Sequence, residues 1–178
     1  MIILYSIISF IALVLILAIF IKKEYSVKRE IIINRHVGTV FGYIKYLKNQ
    51  DDYSVWSKMD PNMTKTYTGI DGTPGFINAW DSSNKSVGKG EQEIMSVTEG
   101  ESIQTQLRFI KPIQSTSSAS LTTIPISEKQ TKVIWKLESS MKYPMNIMLL
   151  FMNVEKMIGN DFAKGLSNLK QILETAHP

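Results

Sequence analysis

The chain has 178 residues, with 20 Lys and Arg against 16 Asp and Glu, a formal net charge of +4 and no cysteine. Without cysteine there are no disulfides, thiolate metal sites or thiol nucleophiles. The positive balance is mild and dispersed, which suits an anionic lipid surface and excludes a nucleic-acid footprint.

Residues 1–21, MIILYSIISFIALVLILAIFI, carry no charge and only Tyr5, Ser6 and Ser9 as polar interruptions. At about 1.5 Å per residue the run spans roughly 30 Å, the hydrocarbon thickness of a bilayer. A cleaved secretory signal needs a basic start, a shorter apolar stretch and a small-residue cleavage site, and these features are missing. The run therefore reads as an uncleaved single-pass anchor. Lys22, Lys23, Lys28 and Arg29 follow it, which favours a cytoplasmic side for the rest. Residues 22–24 form a short basic linker, and 25–178 have the size of one domain.

Tyr25 to Ile33 is short and rich in β-branched residues, as a strand requires. Val40, Phe41, Ile44 and Leu47 recur at helical spacing and predict one or two short helices. The turn formers in NQDDYSVWSKMDPNM predict a loop that displays Tyr53 and Trp56.

From Met63 to Met141, alternating runs are broken by Gly, Pro, Asp, Asn and Ser at hairpin spacing, which predicts six antiparallel strands in sequence. Ile103, Thr105, Leu107 and Phe109 share one face of their strand, and Val133, Trp135 and Leu137 share one face of another. Beyond Pro144 an apolar stripe from Leu150 to Leu173 predicts one helix of about 30 residues, or about 45 Å. The sum is an α+β domain: a seven-stranded curled antiparallel sheet on a long closing helix.

In that order, EYSVKREIIIN, VFGYIKYLKNQDDYSVWSKMDPNM, VGKGEQEI, LRFIKPIQSTSSASL, TKVIWKLES and PMNIMLLFMNVEKMIGNDFAKGLSNLK resemble the helix-grip superfamily (SRPBCC, START and Bet v 1-like). The resemblance is nearest to its bacterial "polyketide cyclase/dehydrase and lipid transport" branch, whose members commonly begin with an apolar segment. The chain departs from that branch at Arg35, His36 and Val37, where relatives often have prolines, and at Met59, where many have a second tryptophan.

The resemblance implies a cavity between sheet and helix. Inward positions by alternation are Trp80, Ile94, Leu107, Phe109, Leu121, Trp135 and Leu137, and the expected helix adds Met148, Phe151 and Met152. Five of the nine methionines fall between Met141 and Met157, and flexible thioethers adapt to ligands of varied shape. Tyr53 and Trp56 are expected at the cavity mouth. Thr105, Ser117, Thr123 and Ser139 either offer hydroxyls to a ligand or bond to their neighbours.

Catalytic signals are sparse. His36 and His177 have no acid partner placed by sequence, and no group has metal-ligand spacing. Glu91 and Glu93 alternate outward, Asp51 and Asp52 suit a capped turn, and the Gly88–Gly90 pair suits a bulge. The expected function is a membrane-anchored module that binds a hydrophobic small molecule or lipid, without metal, cofactor or nucleic acid. The alternatives are a cyclase- or dehydratase-type enzyme, which would need an acid or base inside the cavity, and a scaffold for a membrane partner.

Overall fold

A computed structural model describes residues 1–175, so His177 lies outside the described residues. Helix α1 (Ile2–Phe20) is apolar on every side, with a mean hydropathy of 3.0 in its most apolar window. It is long and apolar enough to cross a membrane, and Ala18 is its one buried residue.

Strand β1 (Glu24–Ile33) runs into α2 (Val37–Ile44). His36 caps that helix, its Nδ1 accepting from the Gly38 N–H at 3.1 Å, so the imidazole serves the backbone. After a 3-10 turn (Leu47–Asn49), the stretch expected as a loop instead begins with two tight helical turns, α3 (Gln50–Tyr53) and α4 (Val55–Met59). Two things hold these turns. The Asp71 carboxylate accepts from the Leu47 and Lys48 N–H groups at 2.8 and 3.1 Å, and Leu47 and Tyr53 are buried.

The remaining strands are β2 (Thr64–Thr68), β3 (Ile77–Asp81), β4 (Lys89–Thr98), β5 (Ser102–Lys111), β6 (Ser115–Ser127) and β7 (Gln130–Ser140). They form one antiparallel sheet in the order β1-β7-β6-β5-β4-β3-β2: seven strands, with β2 to β7 in sequence as expected, and β1 beside β7, a pairing that alternation does not record. The Gly88–Gly90 segment coincides with a register shift between Lys89 and Gly90. Val27, Ile94, Ile103, Leu121, Val133 and Trp135 point inward and are buried. On the outer face Arg108 bridges Glu91 and Glu93, Nε to Oε1 at 2.5 Å and Nη2 to Oε2 at 2.7 Å.

The closing helix is shorter than expected. A 3-10 turn (Met145–Leu150) precedes α5 (Val154–Thr175), whose 22 residues span about 33 Å. Asn153 separates the two, because its Oδ1 accepts from the Lys156 N–H at 2.9 Å and so caps α5. The apolar stripe runs through this break and hides it, because residues 145–152 serve a different neighbour. Asn146 is wholly buried and its Nδ2 donates to the carbonyls of Ala18 (2.7 Å) and Ile21 (3.0 Å). Carbonyls at a helix C-terminus lack intrahelical partners, so this amide ties the end of α1 to the domain.

α5 covers the inner face. Arg29, an inward charge on edge strand β1, passes beneath it, and Nη1 meets Glu155 at 2.6 Å. Gly159 makes the crossing possible, since a Cβ there would lie 2.0 Å from the guanidinium.

Candidate functional site

Strands β2 to β7, the α3–α4 turns and the first half of α5 enclose a cavity of about 280 Å³. That is close to the lower end of the roughly 300–1,000 Å³ usual for small-molecule sites. Its aromatic wall is built by close packing. The Trp135 ring stacks on Phe162 at 4.3 Å with 7° between planes, and Trp56 meets both edge-on. Gly165 lets α5 approach, because a Cβ there would lie 2.9 Å from the Trp135 ring. Across the cavity Trp80 stands edge-on to Phe109 at 6.0 Å, and its Nε1 donates to the Val87 carbonyl at 3.3 Å. Gly90 plays the corresponding part here, its absent Cβ leaving room for the Trp80 ring.

Of the residues expected to line a pocket, Trp80, Leu107, Phe109, Trp135 and Leu137 are on the wall, joined by Trp56 from α4. Ile94 and Leu121 point inward but are packed in the core away from it. Tyr53 is not at the mouth. It is wholly buried behind Trp135, ring centroids 5.8 Å apart, and burial pushes its phenol far above the ordinary range. Met148, Phe151 and Met152 are away from the cavity: they belong to the turn beside the end of α1 or directly follow it, and Phe151 is 84% exposed.

The wall also holds residues outside those expected from the sequence. Asn78 and Ala119 share the inward alternation of Trp80 and Leu121, so the same count reaches them. Ile158 and Phe162 lie on the apolar stripe of α5. Gln50, Asp51 and Ser54 reach the wall because the α3–α4 turns fold over the sheet, whereas Lys65 is on β2 and Met63 directly precedes it.

The strand hydroxyls bond to neighbours. Thr105 Oγ1 accepts from Gln92 Nε2 at 3.0 Å, Ser117 donates to Ser139 at 2.7 Å, and Thr123 donates to the Gly100 carbonyl at 2.8 Å. Two amide oxygens on the wall differ. Among the described residues, Gln50 Oε1 and Asn78 Oδ1 are buried with no hydrogen-bond partner, and Asn78 is only 8% exposed. A buried acceptor left unpaired costs about 1–3 kcal/mol, so a ligand donor that reached either oxygen would be favoured.

Asp51 forms the one charged feature of the wall, together with Lys65. Its carboxylate accepts from Ser57 Oγ at 3.0 Å and Tyr67 OH at 3.1 Å and pairs with the Lys65 ammonium. The Tyr67 phenol is pushed up to about 12, chiefly by burial and then by the Asp51 charge. Asp52 instead accepts from Tyr43 OH at 2.8 Å, and that phenol is raised, first by burial. Glu91, Glu93 and Arg108 stay on the outer face, where the bond to Glu91 leads in raising the Arg108 pKa.

Loop anchoring near the cavity depends on pH. Ser82 Oγ donates to Asp60 Oδ2 at 2.5 Å, and this bond above all lowers the Asp60 pKa. A lowered folded pKa stabilises at pH above the unfolded value near 3.9, and the gain disappears as pH falls through the folded value. Asp60→Asn is therefore expected to lower the urea midpoint at pH 7 and to match the parent near pH 2. A gap of constant size across that range would contradict the assignment.

No family model matches the chain, and no curated protein matches it. Solved structures do. A Thermus thermophilus protein superposes with a TM-score of 0.62 at 16% identity, covering 86% of this chain and 100% of its own. Norcoclaurine synthase from Thalictrum flavum, solved with dopamine and hydroxybenzaldehyde, gives 0.63 at 9% identity over 88% of this chain and 90% of its own. The Aha1 dimer from Colwellia psychrerythraea gives 0.59 at 13%, over 86% and 99%. At such identities the likeness is one of fold, and the fold is the Bet v 1-like helix-grip.

Proposed function

We propose that this chain is a membrane-anchored binding module that holds a small hydrophobic ligand in the helix-grip cavity. One observation carries the reading: an aromatic-walled cavity whose lining includes Gln50 and Asn78, each with a buried amide oxygen that has no partner. Apolar walls with a few oriented polar groups are what small-molecule sites consist of. The favoured ligand is apolar with a hydroxyl or amine at one end, and the volume suits a few rings or one short chain better than a two-chain lipid. The resemblance to the lipid-transport branch and the apolar α1 support the membrane part of the reading. The lysines after α1 favour a cytoplasmic domain.

The test is mass spectrometry of the full-length chain extracted in mild detergent. A co-purifying apolar species at near-equimolar amount is expected. Its absence, together with no binding of an apolar fluorescent probe such as anilinonaphthalene sulfonate, would overturn the proposal.

A second reading, an enzyme acting on an apolar substrate, gains from the Asp51–Lys65 pair on the wall, since general acid-base work needs such a group beside the substrate. It predicts that the bound species is recovered chemically altered after incubation, and that Asp51→Asn stops the change.

A further inference from the structure

We propose that residues 143–151 and the β5–β6 turn form a second membrane contact, seated in the interfacial layer of the bilayer, so that the cavity end of the domain faces lipid. The proposal rests on the reading of α1 as a membrane anchor. Strand register brings the parts to one end. β1 begins with Glu24 opposite Ser140, Ser139 lies opposite Ser117, and Ser115 lies opposite Phe109. The end of α1, the 3-10 turn and the β5–β6 turn are therefore at the same edge of the sheet. The β5–β6 turn is two to three strand spacings, about 10–15 Å, from β1.

That end exposes large apolar side chains to solvent. Phe151 is 84% exposed, Leu150 62% and Ile113 60%, with Tyr143 and Met145 also exposed. Such side chains suit an interfacial layer, and tyrosine in particular favours headgroup depth. Lys22, Lys23, Lys85, Lys111 and Lys142 surround them and are exposed, which fits anionic headgroups. Ile70, in the β2–β3 turn, is also exposed but lies at the opposite end of the sheet, and so serves as a control.

Asn146 makes the seat a fixed one. Its two bonds to α1 carbonyls join the turn to the helix, so when α1 spans the bilayer the turn lies at its emergence. Trp80, Val87 and Phe109 belong to the cavity wall and lie at this same end, so a ligand would pass between cavity and bilayer without crossing bulk water.

Because the chain lacks cysteine, single labels can be placed cleanly. Full-length Phe151→Cys, Ile113→Cys and Ile70→Cys, each carrying a polarity-sensitive fluorophore, would be reconstituted into phosphatidylcholine vesicles containing phosphatidylserine. Blue-shifted emission and several-fold quenching by nitroxide lipids are expected at positions 151 and 113 and not at 70. Solvent-like emission at 151 and 113, in a chain that stays with the membrane after alkaline carbonate, would overturn the seat and leave the anchor standing. Release by carbonate would overturn both. A blue shift without lipid quenching would assign the patch to a protein neighbour and also overturn the proposal.

Discussion

Trp135→Ala is expected to destabilise the folded domain by about 3–5 kcal/mol, the usual range for removing a buried indole. The ring is buried, stacks on Phe162, meets Tyr53 and Trp56 edge-on and lies against Gly165. No neighbour can collapse into the space easily, because Gly165 has no side chain and Tyr53 is held in its own turn. Against a total of about 5–15 kcal/mol, the loss is a large share. At a urea slope of about 1–3 kcal/mol/M the midpoint should fall by more than about 1 M. Phe162→Ala should cost about as much, and the double variant less than the sum, because the two share one stack. A shift under about 1 kcal/mol for Trp135→Ala would mean that the wall is loose and the cavity ill-defined.

Ala119→Phe carries the largest expected effect on binding. Ala119 lies on the cavity wall, opposite Leu137 on β7 and Thr105 on β5. A phenyl ring there projects into space a ligand would use. Affinity for anilinonaphthalene sulfonate should fall at least tenfold, about 1.4 kcal/mol. Because the ring enters open volume, the stability change should stay within the roughly 1–3 kcal/mol of overpacked sites. Unchanged affinity with unchanged stability would place the probe elsewhere on the molecule. That outcome would remove the main experimental handle on the cavity.

Some of this was legible in one dimension. The six runs after Met63 alternate residue by residue, so each announces its own face, and β1 does the same. The count failed where position along a strand mattered. Ile94 and Trp80 both face inward, yet one packs into the core and the other borders open space, because the α3–α4 turns approach only part of the sheet. Those turns themselves read as a loop: their composition is that of turns, and the 3-10 turn that leads into them is capped by Asp71 from some two dozen residues away.

The break before α5 follows the same logic. Asn153 is a capping signal visible in the sequence, but the methionine-rich stripe around it outweighs it in a periodicity count. Met148, Phe151 and Met152 keep helical spacing without belonging to α5, and their place beside the end of α1 depends on Asn146 reaching across 128 residues to Ala18.

Spacing among near neighbours was enough to establish the apolar α1, the presence of seven strands and their faces, and the existence of a closing helix. Only the folded arrangement settled which inward residues border the cavity, that Asp51 and Lys65 meet on its wall, and that an apolar turn is bound to the end of α1. Those outcomes depend on partners far apart in the chain, and no local period records them.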